Sequence, residues 1–327
     1  MSHQKNLKTV VLGTGGTIAG LSAQAANPAI YKSGQLGVAD LIGQAGLKQS
    51  QIEFEDVAKI DSKNIGLTVW QQLLMALNTA QAREDVAAVV ITHGTDTLEE
   101  SAFLIDAFGP WPKPVIMTCA MKPADHPQAD GPANLQDALL LANSPDLHGV
   151  YVVFNGQAHH SLHVQKISTD ESHAFSSGPL GIAAVKNGTL WELSDLKKTA
   201  RRFVTPSIAY FLEQSHWPRV EWLTHHAAST SDCIEALVHP LKPAAQALRA
   251  IVVAGTGAGT FKPDWEQALH RAVSSGIEVW ISSRCAWGQA LPQAQQNVGE
   301  LTDLPPAKAC MALALSVMHK DEKKSAL

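Results

Sequence analysis

Short apolar runs, most ending in small or polar residues, recur along the chain: "TVVL" (9–12), "AAVVIT" (87–92), "PVIMT" (114–118), "GVYVVF" (149–154), "AIVVAG" (250–255) and "VWIS" (279–282). Their apolar positions are continuous rather than alternating, which predicts strands buried on both faces, as in a parallel sheet. Between them the spacing becomes helical. It predicts helices over 67–82 ("LTVWQQLLMALNTAQA"), 97–108 ("TLEESAFLIDAF") and 133–143 ("ANLQDALLLAN"). Asp96 is a good N-cap for the second, with Glu99 three residues on, and Pro132 suits the first turn of the third. Strand and helix in alternation predict an α/β fold with a doubly wound, mostly parallel sheet.

The pattern breaks near residue 190. "ELSDLKKTARRFVTPSI" is charged and closes on a Thr-Pro pair, and "HWPRVEWL" then restarts a strand-like run. The expected organisation is a larger N-terminal domain over 1–190, a linker over 191–216 and a smaller C-terminal α/β domain over 217–327. "AKACMALALSVM" (307–318) reads as the last helix, and "HKDEKKSAL" as a frayed tail.

Composition narrows the classes. The 327 residues are 45% hydrophobic and 17% charged, ordinary for a globular protein, and a net charge of -5 argues against a nucleic-acid binder. Cys119, Cys233, Cys285 and Cys310 form no CxxC pair, so neither a disulfide framework nor a zinc site is expected, and a reducing compartment is the default. Lys5 and Lys8 precede an apolar stretch ending near "SAQA", which mimics a secretory leader. Gly13, Gly15, Gly16 and Gly20 suit a helical leader core poorly, so the stretch reads as the first strand and its loop. No apolar run approaches the roughly 20 residues of a membrane span. His159, His160 and His163 lack partner acids and read as loop packing rather than a metal site, as does the pair His225–His226. His93 reads as a hydrogen-bonding turn residue, and the tryptophans as packing.

The chemistry is carried by strand ends, where ligands of open parallel sheets bind. "TVVLGTGGTIAG" (9–20) runs a strand into a glycine turn with Thr14 and Thr17. It lacks the lysine of a phosphate-binding Walker loop. It also lacks the third glycine of a dinucleotide turn, since Ile18 stands there. The following "LSAQAANPAIYKSGQLG" reads as a loop. "VVITHGTDTLEE" (89–100) brings Thr95 and Asp96 to the same edge, and "TCAMKPADHPQADGPANL" (118–135) is a third strand end. Any one could be only a turn or a cap; three together predict a convergent pocket.

"TGGTIAG", "ITHGTDTLEE", "AMKPADHPQADGP" and "FSSGPLG" together resemble the bacterial-type L-asparaginase family, the threonine-dependent asparaginase/glutaminases. The likeness is close over about residues 8 to 185 and loose beyond about 255. It implies an amidohydrolase that converts L-asparagine and water to L-aspartate and ammonia, without cofactor or metal, through an acyl ester on Thr17. Glutamine is the nearest alternative substrate. One methylene separates the two, which a pocket discriminates by roughly 1–3 kcal/mol. A threonine hydroxyl needs a proton acceptor to become a nucleophile. The resemblance offers Tyr31, in a lid closing over Thr17, and Lys166, paired with Thr95 and Asp96. A lysine in such a place acts as a base only where burial lowers its pKa. Thr95 would orient water and lend its N–H to an oxyanion hole. Ser62, with the amides around Gly94 and Thr95, would bind the substrate carboxylate. Asp96 would bind the ammonium, and the backbone at Ala120 would face the leaving amide. Lys122 is expected to be structural.

The resemblance also implies a homotetramer, or failing that a homodimer, acting on a small-molecule substrate; the scattered cysteines point to the cytoplasm, and charge and hydropathy to neither nucleic acid nor membrane as partner. Family sites take an Asn and a Glu from a neighbouring subunit. Here the Asn position reads Ala258, and no acid follows "SSR" until Glu300. Two other classes share the scaffold: the ammonia-generating subunit of a tRNA-dependent amidotransferase, which needs a partner chain, and a non-catalytic amino-acid sensor, which needs no nucleophile.

Overall fold

The computed structural model describes residues 7–22, 31–47, 51–145, 147–194, 203–238, 247–293 and 298–326. The chain divides into two compact units, Met1–Arg201 and Arg202–Leu327.

The first unit runs β1 (Lys8–Gly15), β2 (Leu21–Ser22), β3 (Tyr31–Lys32), α1 (Val38–Gln44), β4 (Ile52–Ile60), α2 (Leu67–Ala82), β5 (Val86–Thr92), α3 (Leu98–Ala107), β6 (Val115–Thr118), α4 (Gly131–Ala142), β7 (Val150–Phe154), β8 (Gln157–His160), β9 (Gln165–Lys166), β10 (Phe175–Ser176), β11 (Ala184–Asn187) and β12 (Leu190–Leu193). Its main sheet has the order β12-β11-β8-β7-β6-β5-β1-β4 among the described residues. The five strands from β4 to β7 pair in parallel, and β8, β11 and β12 add antiparallel edges. The chain leaves β1 for β4 on one side, then returns to β5 on the other. The crevice between β1 and β5 is therefore the topological switch point, where ligands of doubly wound sheets bind. The register levels these ends: Gly13 pairs with Thr92, and Thr92 with Thr118.

Both faces of the sheet are covered. On one, Val11, Val90 and Ile116 pack against Leu41 and Ile42 of α1 and Leu135 and Leu139 of α4. On the other, α2 lies against β1, β4 and β5, and α3 against β7. This double burial is why the strands read as continuous apolar runs. The edge strand β4 carries exposed Phe54, Glu55 and Asp56 at its centre, and this mixed text hid it from an apolar-run search.

The second unit runs α5 (Ile208–Glu213), β13 (Arg219–Thr224), α6 (Asp232–Val238), β14 (Leu248–Gly255), α7 (Pro263–Ser274), β15 (Glu278–Ser283), β16 (Glu300–Leu301) and α8 (Pro306–Ser325). Its parallel sheet, β13-β14-β15-β16, packs on one face against α7 through Ile251, Val253, Ile281, Leu269 and the fully buried Trp265. The helix α8 lies against β13, β14 and β15.

Three expectations change. The stretch taken as linker contains β12 and α5, the latter capped by the Ser207 hydroxyl and anchored by the buried Phe211; residues 195–202 lie outside the described set. The final helix does not fray at 319 but continues to Ser325. Its polar end is held by Lys320 on Glu278 at 2.7 Å, Asp321 on Arg249 at 2.9 Å, and Glu322 on the Ser207 hydroxyl at 2.5 Å. The loop expected after Gly20 begins and ends in a short ladder, Leu21 with Lys32 and Ser22 with Tyr31, while its centre at 23–30 lies outside the described residues.

Candidate active site

The end of β1 turns inward because Gly16 allows it. Gly16 has φ 80° and ψ −172°, a conformation essentially reserved for glycine. A Cβ there would lie 2.3 Å from the Gly94 Cα, so the backbones after β1 and β5 touch. Gly94 is equally confined, since its own Cβ would lie 2.6 Å from the Ser62 hydroxyl. These two close approaches hold the turns bearing Thr17, Thr95 and Ser62 against one another. The Thr14 hydroxyl donates to the Thr92 carbonyl at 3.1 Å, which makes it a tie between strands.

Two hydroxyls emerge at this junction, each with its own proton partner. Thr17 is 5% exposed, and its Oγ1 lies 2.8 Å from the Tyr31 phenol oxygen. Thr95 is also 5% exposed, and its Oγ1 accepts a hydrogen bond from Lys166 Nζ at 2.9 Å. The same ammonium donates to Asp96 Oδ1 at 2.7 Å, and the Thr95 hydroxyl reaches that oxygen at 3.4 Å. The Lys166 side chain is 18% exposed and that of Asp96 54%, so the carboxylate keeps an open face on which a ligand cation can settle. Ser62 is buried beside Gly94, and its carbonyl accepts from the Thr97 hydroxyl at 2.9 Å.

Asp96 does not cap α3. The N-cap is Thr97, with no side-chain capping bond, because the Asp96 carboxylate is engaged by Lys166. Nor does Glu99 close a capping box on Asp96. Its Oε2 accepts from the Lys166 backbone N–H at 2.5 Å, fixing β9 beside α3. Glu99 thus positions Lys166, a role invisible in local spacing because the partners are 67 residues apart. Ala120 is fully buried after β6, and Asp130 organises its segment by accepting from the Met121 and Lys122 N–H groups, both at 2.9 Å. Asp130 carries no signal of this role in the sequence, because its partners are backbone N–H groups of the preceding loop. The Ala124 N–H donates to the Gly20 carbonyl at 2.8 Å and Ser22 N–H to Asp125 at 2.9 Å, so the third strand end is tied to the chain just past Thr17. Lys122 Nζ binds Gln128 at 3.0 Å, a contact within its own loop.

His93 is completely buried between these turns. Its Nδ1 lies 2.8 Å from the Gly94 carbonyl, and burial pushes its pKa down to about 4, so it is neutral at pH 7. A neutral ring donating from Nδ1 braces Gly94 as a turn residue should. His159 pairs with the Ser177 hydroxyl at 2.9 Å, and His160 and His163 pack ring to ring. Among the described residues, no group of three or more His, Cys, Asp or Glu side chains could hold a metal ion.

Similarity to known proteins accords with this geometry. A model of the asparaginase N-terminal domain matches residues 8–195, and one of the glutaminase/asparaginase C-terminal domain matches residues 219–326. The chain belongs to the asparaginase family. It is an amidohydrolase of that family, with the larger N-terminal and smaller C-terminal parallel-sheet units that the strand and helix pattern predicted. It is 33% identical over 320 residues to L-asparaginase 2 of Escherichia coli (strain K12), covering 94% of this chain and 88% of that protein. To the glutaminase-asparaginase of Pseudomonas fluorescens biotype A it is 31% identical over 98% of this chain and 89% of that one. Among solved structures, a probable cytoplasmic L-asparaginase from Campylobacter jejuni superposes with a TM-score of 0.83 at 27% identity, covering 97% and 98% of the two chains. A relative from Haemophilus influenzae, 29% identical, is described as periplasmic. No helix among the described residues is long and apolar enough to cross a membrane.

Proposed function

We propose that this enzyme hydrolyses the side-chain amide of L-asparagine to L-aspartate and ammonia, with L-glutamine as the nearest alternative substrate, and that Thr17 is its nucleophile. The observation that carries the reading is the pair of buried threonine hydroxyls at the switch point, one on a phenol and the other on an ammonium and a carboxylate. As Oγ1 attacks the carboxamide carbon, the Tyr31 phenol accepts the Thr17 proton and passes its own on toward the departing nitrogen. The oxygen of the tetrahedral intermediate is stabilised by backbone N–H groups at the Thr95 turn. The C–N bond breaks, the nitrogen leaves as ammonia with the proton returned to it, and an ester remains on Thr17. Water, oriented by the Thr95 hydroxyl that the Lys166 ammonium holds in place, then attacks the ester, and its proton passes to the departing Thr17 oxygen and restores the hydroxyl. Asp96 holds the substrate ammonium on its open face, Ser62 and the Gly94–Thr95 amides hold the α-carboxylate, and the Ala120 backbone faces the amide nitrogen.

A homotetramer or homodimer and a cytoplasmic location belong to the same proposal. The cytoplasmic description of the Campylobacter neighbour supports the location. The test is ammonia release from asparagine and from glutamine by the purified protein beside Thr17→Ala. The proposal requires turnover in the wild type that the variant loses. A variant as active as the wild type removes Thr17 from the mechanism, and binding without turnover in the wild type makes the protein a sensor.

A further inference from the structure

Tyr31, the phenol beside Thr17, sits on a strand of only two residues. That strand, β3, pairs with the equally short β2: Leu21 lies opposite Lys32, and Ser22 opposite Tyr31. A two-stranded ladder of this length is marginal on its own, so its place beside Thr17 depends on what grips it from outside. Just past β3, the Gly34 N–H donates to the Gly16 carbonyl at 3.1 Å. β2 is held by the segment after β6. The Ala124 N–H donates to the Gly20 carbonyl at 2.8 Å. The Asp125 carboxylate accepts the Ser22 N–H on both oxygens, at 2.9 and 3.0 Å, and the Ser22 hydroxyl at 2.9 Å. These bonds, the N–H first, hold the Asp125 carboxyl below its ordinary pKa. Gly20 completes the fit, since a Cβ there would lie 3.0 Å from the Tyr31 ring.

Ser22 therefore has Asp125 on one side and, across the ladder, Tyr31 on the other. We propose that Asp125 is a positioning residue for Tyr31: its carboxylate fixes Ser22, and through the β2–β3 pairing it fixes the phenol within hydrogen-bond reach of Thr17. The inference rests on the function proposed above. The segment bearing Asp125 also bears Ala120, whose backbone is proposed to face the leaving amide. One segment thus places both the phenol that handles the proton and the backbone that meets the nitrogen receiving it. Asp125 is exposed and water competes for its bonds, so its loss loosens the phenol without removing it. The effect falls on the chemical step rather than on substrate capture.

The experiment uses the full-length enzyme and L-asparagine. Asp125→Ala is compared with wild type, alone and combined with Tyr31→Phe. Asp125→Asn is measured beside it, with Gln128→Ala as a control that breaks an exposed contact within the same loop. Asp125→Ala is expected to lower kcat about three- to tenfold with KM within about twofold, well short of the loss on removing the phenol itself. Asp125→Asn keeps the Oδ1 that accepts both the Ser22 N–H and its hydroxyl, and should recover most of kcat. In the Tyr31→Phe background Asp125→Ala should cost nothing further, because the group it positions is gone. The chain has three tyrosines, so fluorotyrosine labelling gives three fluorine resonances, that of Tyr31 being the one lost in Tyr31→Phe. Asp125→Ala should shift or broaden that signal and leave those of Tyr151 and Tyr210 unmoved. A wild-type kcat, a loss confined to KM, an equal loss in the Tyr31→Phe background or in Gln128→Ala, or an unmoved Tyr31 resonance overturns the inference. A fully active Tyr31→Phe overturns the phenol's role in the proposed function, and this inference with it. A slow Tyr31→Phe beside a wild-type-like Asp125→Ala defeats only the role of Asp125.

Discussion

Replacing Gly16 by Ala adds one methyl group where the turns after β1 and β5 meet. The new Cβ would lie 2.3 Å from Gly94 Cα and 2.4 Å from Gly94 N. Carbon contacts are comfortable at about 3.5–4.0 Å, so the turns must part by roughly 1 Å. The backbone at φ 80° and ψ −172° adds its own penalty, about 1–3 kcal/mol for a side-chain-bearing residue. Overpacking adds about 1–3 kcal/mol more, so stability should fall by about 2–6 kcal/mol. Activity should fall further than stability explains. Thr17 directly follows Gly16 and Thr95 follows Gly94, and a misplacement of about 1 Å can cost on the order of 100-fold in rate. The matched control is Gly46→Ala: Gly46 also has positive φ (+64°), but nothing lies within 4 Å of its Cβ position, so it carries the backbone penalty without the clash. Ammonia release gives kcat/KM, and urea melts followed by circular dichroism give stability. The argument predicts a folded, destabilised Gly16→Ala enzyme about 100-fold slower, beside a Gly46→Ala enzyme of normal activity. A Gly16→Ala enzyme with wild-type kcat/KM, or equal activity losses in both variants, would refute the view that this contact sets the catalytic geometry.

Tyr31→Phe deletes the phenol oxygen that lies 2.8 Å from Thr17 Oγ1, at a part-buried position. It should lower kcat by about 100-fold or more, the scale of a lost proton acceptor, while the urea midpoint stays put; full activity would end the role of Tyr31. Asp130→Ala frees the Met121 and Lys122 N–H groups and should loosen the Ala120 segment, lowering kcat/KM about tenfold or more; unchanged kinetics would mean that segment does not face the leaving amide. Glu100 has its carboxyl pushed up from 4.5 to about 7, by burial first and by Glu99 second. The folded state holds its proton where the unfolded chain has released it, so stability present below pH 4.5 is lost as pH rises through 7. Glu100→Gln should therefore gain about 3 kcal/mol at pH 8 relative to pH 4.5 in denaturant melts, and a gain independent of pH would contradict the assignment.

What the sequence disclosed followed from where the physics is local. The strands β1, β5, β6, β7, β14 and β15 announced themselves because both of their faces are buried, and α2 because its apolar residues keep a helical period. β4 was hidden because an edge strand with an exposed centre has no such signature. The tail of α8 looked frayed because Lys320, Asp321 and Glu322 find their partners only in the fold. Thr17, Thr95 and Asp96 were legible because each lies just beyond a strand end, next to a glycine turn. Tyr31, Ser62 and Lys166 were reached through the resemblance, and the structure brings Tyr31 to Thr17 and Lys166 to Thr95 and Asp96. Glu99 reads as a capping-box partner because an acid at a helix start has an obvious local use, and only tertiary geometry shows that its carboxylate serves a remote backbone N–H.

Two buried threonine hydroxyls, Thr17 and Thr95, each lie beside a hydrogen-bonding partner at the switch point, and the proposed mechanism assigns the covalent step to the first. Rapid acid quench of the enzyme turning over L-asparagine, followed by peptide mass mapping, reads that assignment directly. The account predicts an aspartyl ester on the peptide containing Thr17, absent in Thr17→Ala and accumulating when Lys166→Met slows the water step. An ester on the peptide containing Thr95, with Thr17 unmodified, would contradict it.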